Sequence, residues 1–335
     1  MLSRTFSLLF FPLVLGVALA VGARLAAAGS ATLPVLAGAA LVVLLAERLF
    51  PHLPAWQRSH RDVAVDLAHV VSVSLASFAT QALVPAALSP LATALDPLGT
   101  ARLWPASWPL LAQLPLALVA AEFFQYWSHR LSHEWEPFWR LHATHHSAPR
   151  LYFLNAARFH PLDIVIDTTA GLIPLVLLGC PAPVQALFVL FTGVFGYLQH
   201  CNVRVALGPL NYLFSMAELH RWHHAKNLRE ANTNYGSNLI VWDLVFGTFF
   251  WPRDREPPEQ IGIPDELLGT TRLAVSLARD KGREPGAELR RERREELAQQ
   301  RVHALGLREI HHVPRVGNDR ESRVRKRCGE IARGR

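Results

Sequence analysis

Charge is scarce in this chain of 335 residues: Asp, Glu, Lys and Arg together make 18%, hydrophobic residues make half, and mean hydropathy is +0.16. Soluble domains carry about a quarter charged residues, so a purely aqueous setting is excluded. Cysteine is scarcer still. Cys180, Cys201 and Cys328 form no pairing or metal-binding pattern, which removes a disulfide framework and points to a reduced compartment. There is no phosphate-cradling glycine loop, no nucleotide fingerprint and no repeat of fixed period, so any nucleotide chemistry must come from a partner. His-Glu-x-x-His is also absent.

The formal charge of +7 is not spread over the molecule. Residues 271–335 hold 18 basic and 10 acidic side chains, leaving 16 and 17 for the rest. This stretch reads as a solvated helix plus disorder, lying near anionic lipid headgroups. It has no aromatic residue on which a base would stack, and nucleic acid is not expected as a partner.

What the chain does have is long apolar runs, at about 6–23, 32–47, 64–90, 104–124, 164–179 and 183–198. Several reach the ~20 residues that span a ~30 Å hydrocarbon core, so four to six membrane helices are expected. The first run also resembles a secretory signal peptide ending in Ala26-Ala27-Ala28. An uncleaved helix is favoured because another apolar span follows at once. The short pair around Gly179-Cys180-Pro181 reads as a tight hairpin or a re-entrant element. With the first four runs spanning, the loop at 48–63 and residues 125–163 share one side. Arg48, Arg58, Arg61, Arg130, Arg140, Arg150 and Arg158 lie there, against Arg24 and Arg102 opposite, so that side is expected to be cytoplasmic.

Half of the sixteen histidines fall in three groups: His129/His133, His142/His145/His146 and His220/His223/His224, each following an apolar stretch. Residues three or four apart on a helix share a face, so His129 and His133 can point at one spot, as can each His-x2-His-His triplet. Imidazole suits iron, zinc, copper or nickel, and eight exceed the three or four that one zinc needs. The count argues for two metals at a membrane surface. Glu122 is ionisable within an apolar helix, where it is costly. Asp66, His69 and Asp167 are further polar residues in or beside the spans, with no motif to give them a role.

These residues carry a resemblance. Tyr126-Trp127-Ser128-His129-Arg130-Leu131-Ser132-His133, Trp139-Arg140-Leu141-His142-Ala143-Thr144-His145-His146-Ser147, His160-Pro161-Leu162-Asp163, His220-Arg221-Trp222-His223-His224, Asn234-Tyr235-Gly236, and Trp242-Asp243 with Phe246-Gly247-Thr248 occur in that order. Together they resemble the fatty acid hydroxylase/sterol desaturase superfamily over about residues 105–252.

The resemblance implies an all-α, multi-pass membrane protein with a cytoplasmic histidine-rich metal-binding cap. It implies an oxidoreductase in which two iron ions, with zinc a possible substitute, use O2 to hydroxylate or desaturate a lipid C–H bond. Electrons would come from a separate electron-transfer protein and reductase, because no haem-binding domain is fused. The membrane would be the inner membrane of a bacterium or the endoplasmic reticulum of a eukaryote. The eight clustered histidines match the family's ligand boxes, and His200 resembles a further ligand at a helix end, its alternative being a histidine that snorkels to the interface. His160 matches a histidine found in part of the family, with loop bracing as the alternative. Glu122, Asp243 and Asn234 are candidates for orienting a ligand, with a helix cap as the other reading of Asp243.

Two positions depart from the family. Asn232 stands where an acidic residue is often found before Asn-Tyr-Gly, and Met216-Ala217-Glu218-Leu219 replaces a Ser/Thr-Pro pair. Membrane helices at 1–104, a catalytic domain at 105–252 and a charged, partly disordered tail at 253–335 are the expected organisation. A zinc-dependent membrane hydrolase and a membrane metal transporter are the other classes. The first would use fewer ligands and a carboxylate base, the second ligands near the bilayer midplane.

Overall fold

In the computed structural model, residues 2–96, 103–263 and 267 are described. The charged stretch from 271 onward, read above as helix plus disorder, lies outside them. Among the described residues the elements are helical, with only isolated bridges such as Phe214 with Leu239 and Ala225 with Ile261.

Six long helices form the apolar body: α1 (Leu2–Ala27), α2 (Leu33–Leu49), α3 (Val63–Leu95), α4 (Leu110–Glu134), α6 (Pro161–Leu177) and α7 (Ala182–His200). Between them, α5 (Glu136–His146) follows α4, and after α7 come the short α8 (Ala217–His223), α9 (Leu228–Ala231) and α10 (Val241–Phe246). Four helices, over Thr5–Ala27, Val63–Leu95, Leu110–Glu134 and Ala182–His200, are long and apolar enough to cross a membrane. At 1.5 Å per residue, the 17-residue α2 and α6 reach about 26 Å, slightly short of the core thickness. Leu13, Val17, Val71, Leu75 and Phe78 are all more than half exposed. Water would not tolerate that stripe, whereas acyl chains would. The chain is an integral membrane protein.

The chain turns at Gly179 between α6 and α7, and the two helices part. α6 packs chiefly on α3 and α4, while α7 packs on α1, α2 and α4, so α4 stands between them. Small residues let the helices close up, as in other membrane bundles. A Cβ at Gly193 of α7 would meet Leu36 of α2 at 2.8 Å. Phe11 of α1 meets Phe195 of α7 edge-on, with centroids 5.8 Å apart.

Polar ties at one end hold the loops on this body. Glu47, at the end of α2, accepts from the backbone N–H of Phe153 (2.8 Å) and of Asn202 (2.9 Å). Arg150 grips Asp62 at 2.7 and 3.1 Å, with both side chains buried. Asp66 and His69, without a role in the sequence, fix the 147–160 loop: Tyr152 and Arg158 donate to Asp66 at 2.6 and 2.9 Å, and His69 Nδ1 pairs with the Phe159 carbonyl at 2.9 Å. That end of the bundle is where the histidines gather.

Candidate metal centre

α4 continues beyond its apolar part and carries His129 and His133 on its last turns. It stops at Trp135, whose extended backbone turns the chain, and Pro137 opens α5, which brings His142, His145 and His146 back over the same point. His200 ends α7, and α8 with its cap supplies His220, His223 and His224.

The nine histidines form two groups. His129, His133, His142, His146 and His223 make one; His145, His200, His220 and His224 make the other, with ligating atoms in each lying within 4.8 Å of one another. The triplets do not each aim at one spot, as their spacing had suggested. Successive helical residues are turned by about 100°, so i and i+4 stay together while i+3 diverges. His142 and His146 enter the first group and His145 the second; His220 and His224 enter the second and His223 the first.

The donor set fits a metal pair. Nε2 of His224 lies 3.1 Å from Nε2 of His145 and 2.9 Å from that of His220, which is 2.9 Å from Nε2 of His200. In the first group Nε2 of His129 and His142 are 3.1 Å apart. Metal–nitrogen bonds of about 2.0–2.1 Å set at right angles separate neighbouring nitrogens by about 2.9 Å. The Nε2 atoms of His133, His146 and His223 are buried without a hydrogen-bond partner, which a purely structural site would not leave. Burial, reinforced by the neighbouring imidazoles, holds His145, His146, His220 and His224 well below the usual histidine range. Burial likewise brings His223 down to about 3. These five rings are therefore neutral, the form in which imidazole binds a metal.

The other ring nitrogens show how the rings are aimed. In the first group His142 Nδ1 pairs with Asp163 Oδ2 (2.9 Å), His129 Nδ1 with the Tyr235 carbonyl (2.7 Å), His223 Nδ1 with the Thr233 carbonyl (2.8 Å) and His133 Nδ1 with Asn232 Oδ1 (3.2 Å). In the second, His200 Nδ1 pairs with Asn155 Oδ1 at 3.0 Å, and Phe159 stacks on His145 with centroids 4.0 Å apart. Nδ1 of His145, His220 and His224 is buried without a partner.

The acidic candidates act at one remove. Asp243 accepts from the backbone N–H groups of Tyr235 and Gly236, both at 2.7 Å, and from Thr248 Oγ1 at 2.6 Å, fixing the carbonyl that His129 uses. Burial pushes its carboxyl up to about 6 despite these bonds. Glu122 orients no histidine directly, as had been expected of it. Its partners are the Asn238 N–H, the Asn238 amide and the Leu239 N–H, at 3.1, 2.9 and 2.7 Å, so it pins the 234–240 loop to α4. Asn234, at φ 54°, donates to the Leu219 carbonyl and pairs both ways with Phe250, joining that loop to α8. His160 belongs to neither group; it caps α6, its Nδ1 accepting from the Leu162 N–H at 3.2 Å.

Asp163, Asn155 and the two carbonyl acceptors were not assigned roles from sequence. Asp163 had a signal, since it ends the His160-Pro161-Leu162-Asp163 motif. The carbonyls had none, because any residue supplies one.

A family model described as fatty acid hydroxylase matches residues 114–248. An ornithine lipid hydroxylase of Rhizobium tropici is 41% identical over 68% of this chain and 69% of its own. Human alkylglycerol monooxygenase is 35% identical over 40% of this chain and 29% of its own. Rat methylsterol monooxygenase 1 is 29% identical over 39% and 44% respectively. No solved structure matches this chain significantly.

Proposed function

The chain belongs to the fatty acid hydroxylase family and is an oxidoreductase acting on lipids, and on that premise we propose that it is a di-iron, O2-dependent lipid hydroxylase. The observation that carries this reading is the convergence of nine histidines into two adjacent groups at one end of a membrane bundle. His129, His133, His142, His146 and His223 would hold one iron, and His145, His200, His220 and His224 the other. Oxidation needs a redox-active metal, which zinc is not. Bound there, the iron pair supplies the chemistry that activates O2 and oxidises an unactivated C–H bond.

The protein's own groups do the rest. Asp163, Asn155, Asn232 and the carbonyls of Thr233 and Tyr235 accept from Nδ1 and leave Nε2 facing inward. Asp243 and Glu122 keep the loop that presents those acceptors in place. The histidines sit where the bundle meets the cap, so a lipid chain reaches them from the bilayer while electrons arrive from water by way of a separate donor protein. The arginine distribution favours the cytoplasm for that face. The names of the relatives favour hydroxylation of a polar membrane lipid.

The test is metal content after anaerobic Fe(II) loading of detergent-purified protein, wild type beside His145→Ala. Two irons per chain, reduced in the variant, and O2-dependent hydroxylation of membrane lipid by the wild type are expected. One tightly held zinc with no uptake of iron would refute the reading.

A further inference from the structure

On α4, Gln125 lies four residues before His129; on α6, Asp167 lies four residues after Asp163, the partner of His142. Four residues are about one helical turn, some 5.4 Å, and in both helices the turn runs away from the cap into the bundle. The two side chains therefore meet one turn below the first histidine group, between α4 and α6. Gln125 Nε2 donates to Asp167 Oδ2 at 2.8 Å. Gly171, one turn farther along α6, makes room: a Cβ there would come within 3.0 Å of the Gln125 side-chain carbonyl carbon.

Interhelical adhesion accounts for that one hydrogen bond. It does not account for the other end of the amide. Gln125 is 3% exposed and its Oε1 is buried with no partner, at a cost of about 1–3 kcal/mol for an unsatisfied group. Asp167 adds a carboxylate within a bundle of apolar helices, where such a group is rare and marks function. The unpaired Oε1 of Gln125 and the Asp167 carboxylate are acceptors. An ester or ether oxygen offers them only lone pairs, whereas an amide N–H or a hydroxyl offers a hydrogen.

We propose that Gln125 and Asp167 form a recognition site for a hydrogen-bond-donating group, an amide N–H or hydroxyl, on the lipid substrate, one helical turn from the reacting centre. The proposal rests on the reading of the histidines as the oxidising site. It makes the pair a determinant of specificity, since holding that group fixes which carbon of the lipid lies at the metals.

The experiment compares binding of N-hexadecylacetamide and hexadecyl acetate, which differ in N–H against O, to the detergent-purified, iron-loaded chain, by displacement of a fluorescent fatty-acyl probe. One hydrogen bond to a buried acceptor is expected to favour the amide about tenfold in the wild type. The double variant Gln125→Met with Asp167→Leu removes both polar partners in similar volume. It is expected to bind the two probes alike with iron content and melting unchanged; should it not fold, Gln125→Met alone carries the comparison. Equal binding by the wild type, or a preference that survives the substitutions, would overturn the proposal. Iron is measured in the same samples, so a wild type that prefers the amide but takes up no iron would sink the histidine reading and leave the site standing.

Discussion

Replacing Asp163 by alanine separates the aiming of a ligand from the holding of the fold. Its carboxylate is buried, accepts from His142 Nδ1 at 2.9 Å and lies in the first turn of α6. The helix-terminus effect of an acid there is about 0.3–1 kcal/mol, so melting should move only slightly. Losing the acceptor frees the ring of His142 to turn and lowers the basicity of Nε2. Partners of this kind typically change metal affinity 10–100-fold, or about 1.4–2.7 kcal/mol. Competition for Fe(II) against a graded series of chelators should show a loss of that size in Asp163→Ala. Asp163→Asn retains an oxygen acceptor and should recover most of it. Affinity unchanged in the alanine variant, or lost equally in both with a collapse in melting temperature, would refute this account.

Asn232→Asp should tighten metal retention several-fold in the same chelator assay, since a carboxylate would replace the amide oxygen 3.2 Å from His133 Nδ1. Asp243→Asn should destabilise by about 1–3 kcal/mol in denaturant unfolding, because an amide NH2 would face either the Gly236 or the Tyr235 N–H. In metal-free protein, folded His145, His146, His220, His223 and His224 titrate below the unfolded value of about 6.5, His223 at about 3, so below pH 6.5 the unfolded chain binds more protons at these positions. Stability should therefore fall as pH drops below 6.5, by up to about 1.4 kcal/mol per pH unit for each such histidine; a melting temperature flat from pH 7 to 5 would contradict this. Arg150→Met leaves Asp62 buried without its cation and should lower stability by about 3–5 kcal/mol, read by thermal unfolding in detergent.

Apolar length and histidine spacing were legible in the sequence because both are local. The six runs correspond to α1, α2, α3, α4, α6 and α7, and each histidine group lies on or beside one helix end. The division of the histidines was not, since it depends on how α5 and α8 are rotated against each other. Nor was the contact of Asn155 with His200, made across 45 residues by a loop with no periodic pattern. Glu122 stood out as an ionisable residue in an apolar helix, but its partners lie 116 and 117 residues away, so its role as an anchor of the loop had no local mark.

The segment from Asn232 to Tyr235 supplies the acceptors for His133, His223 and His129, and it is anchored through Asp243. Every histidine of the two groups precedes it in the chain. During synthesis, the histidines of α4 leave the ribosome about a hundred residues before the groups that orient them, so a nascent chain holds them without their acceptors. The firm site comes into being only once the polypeptide beyond residue 243 has been made and has closed over the bundle. On the reading of these histidines as a metal site, metal acquisition would be deferred until that segment is made, and a truncated product that stalls in the membrane would be left without an oxidising centre.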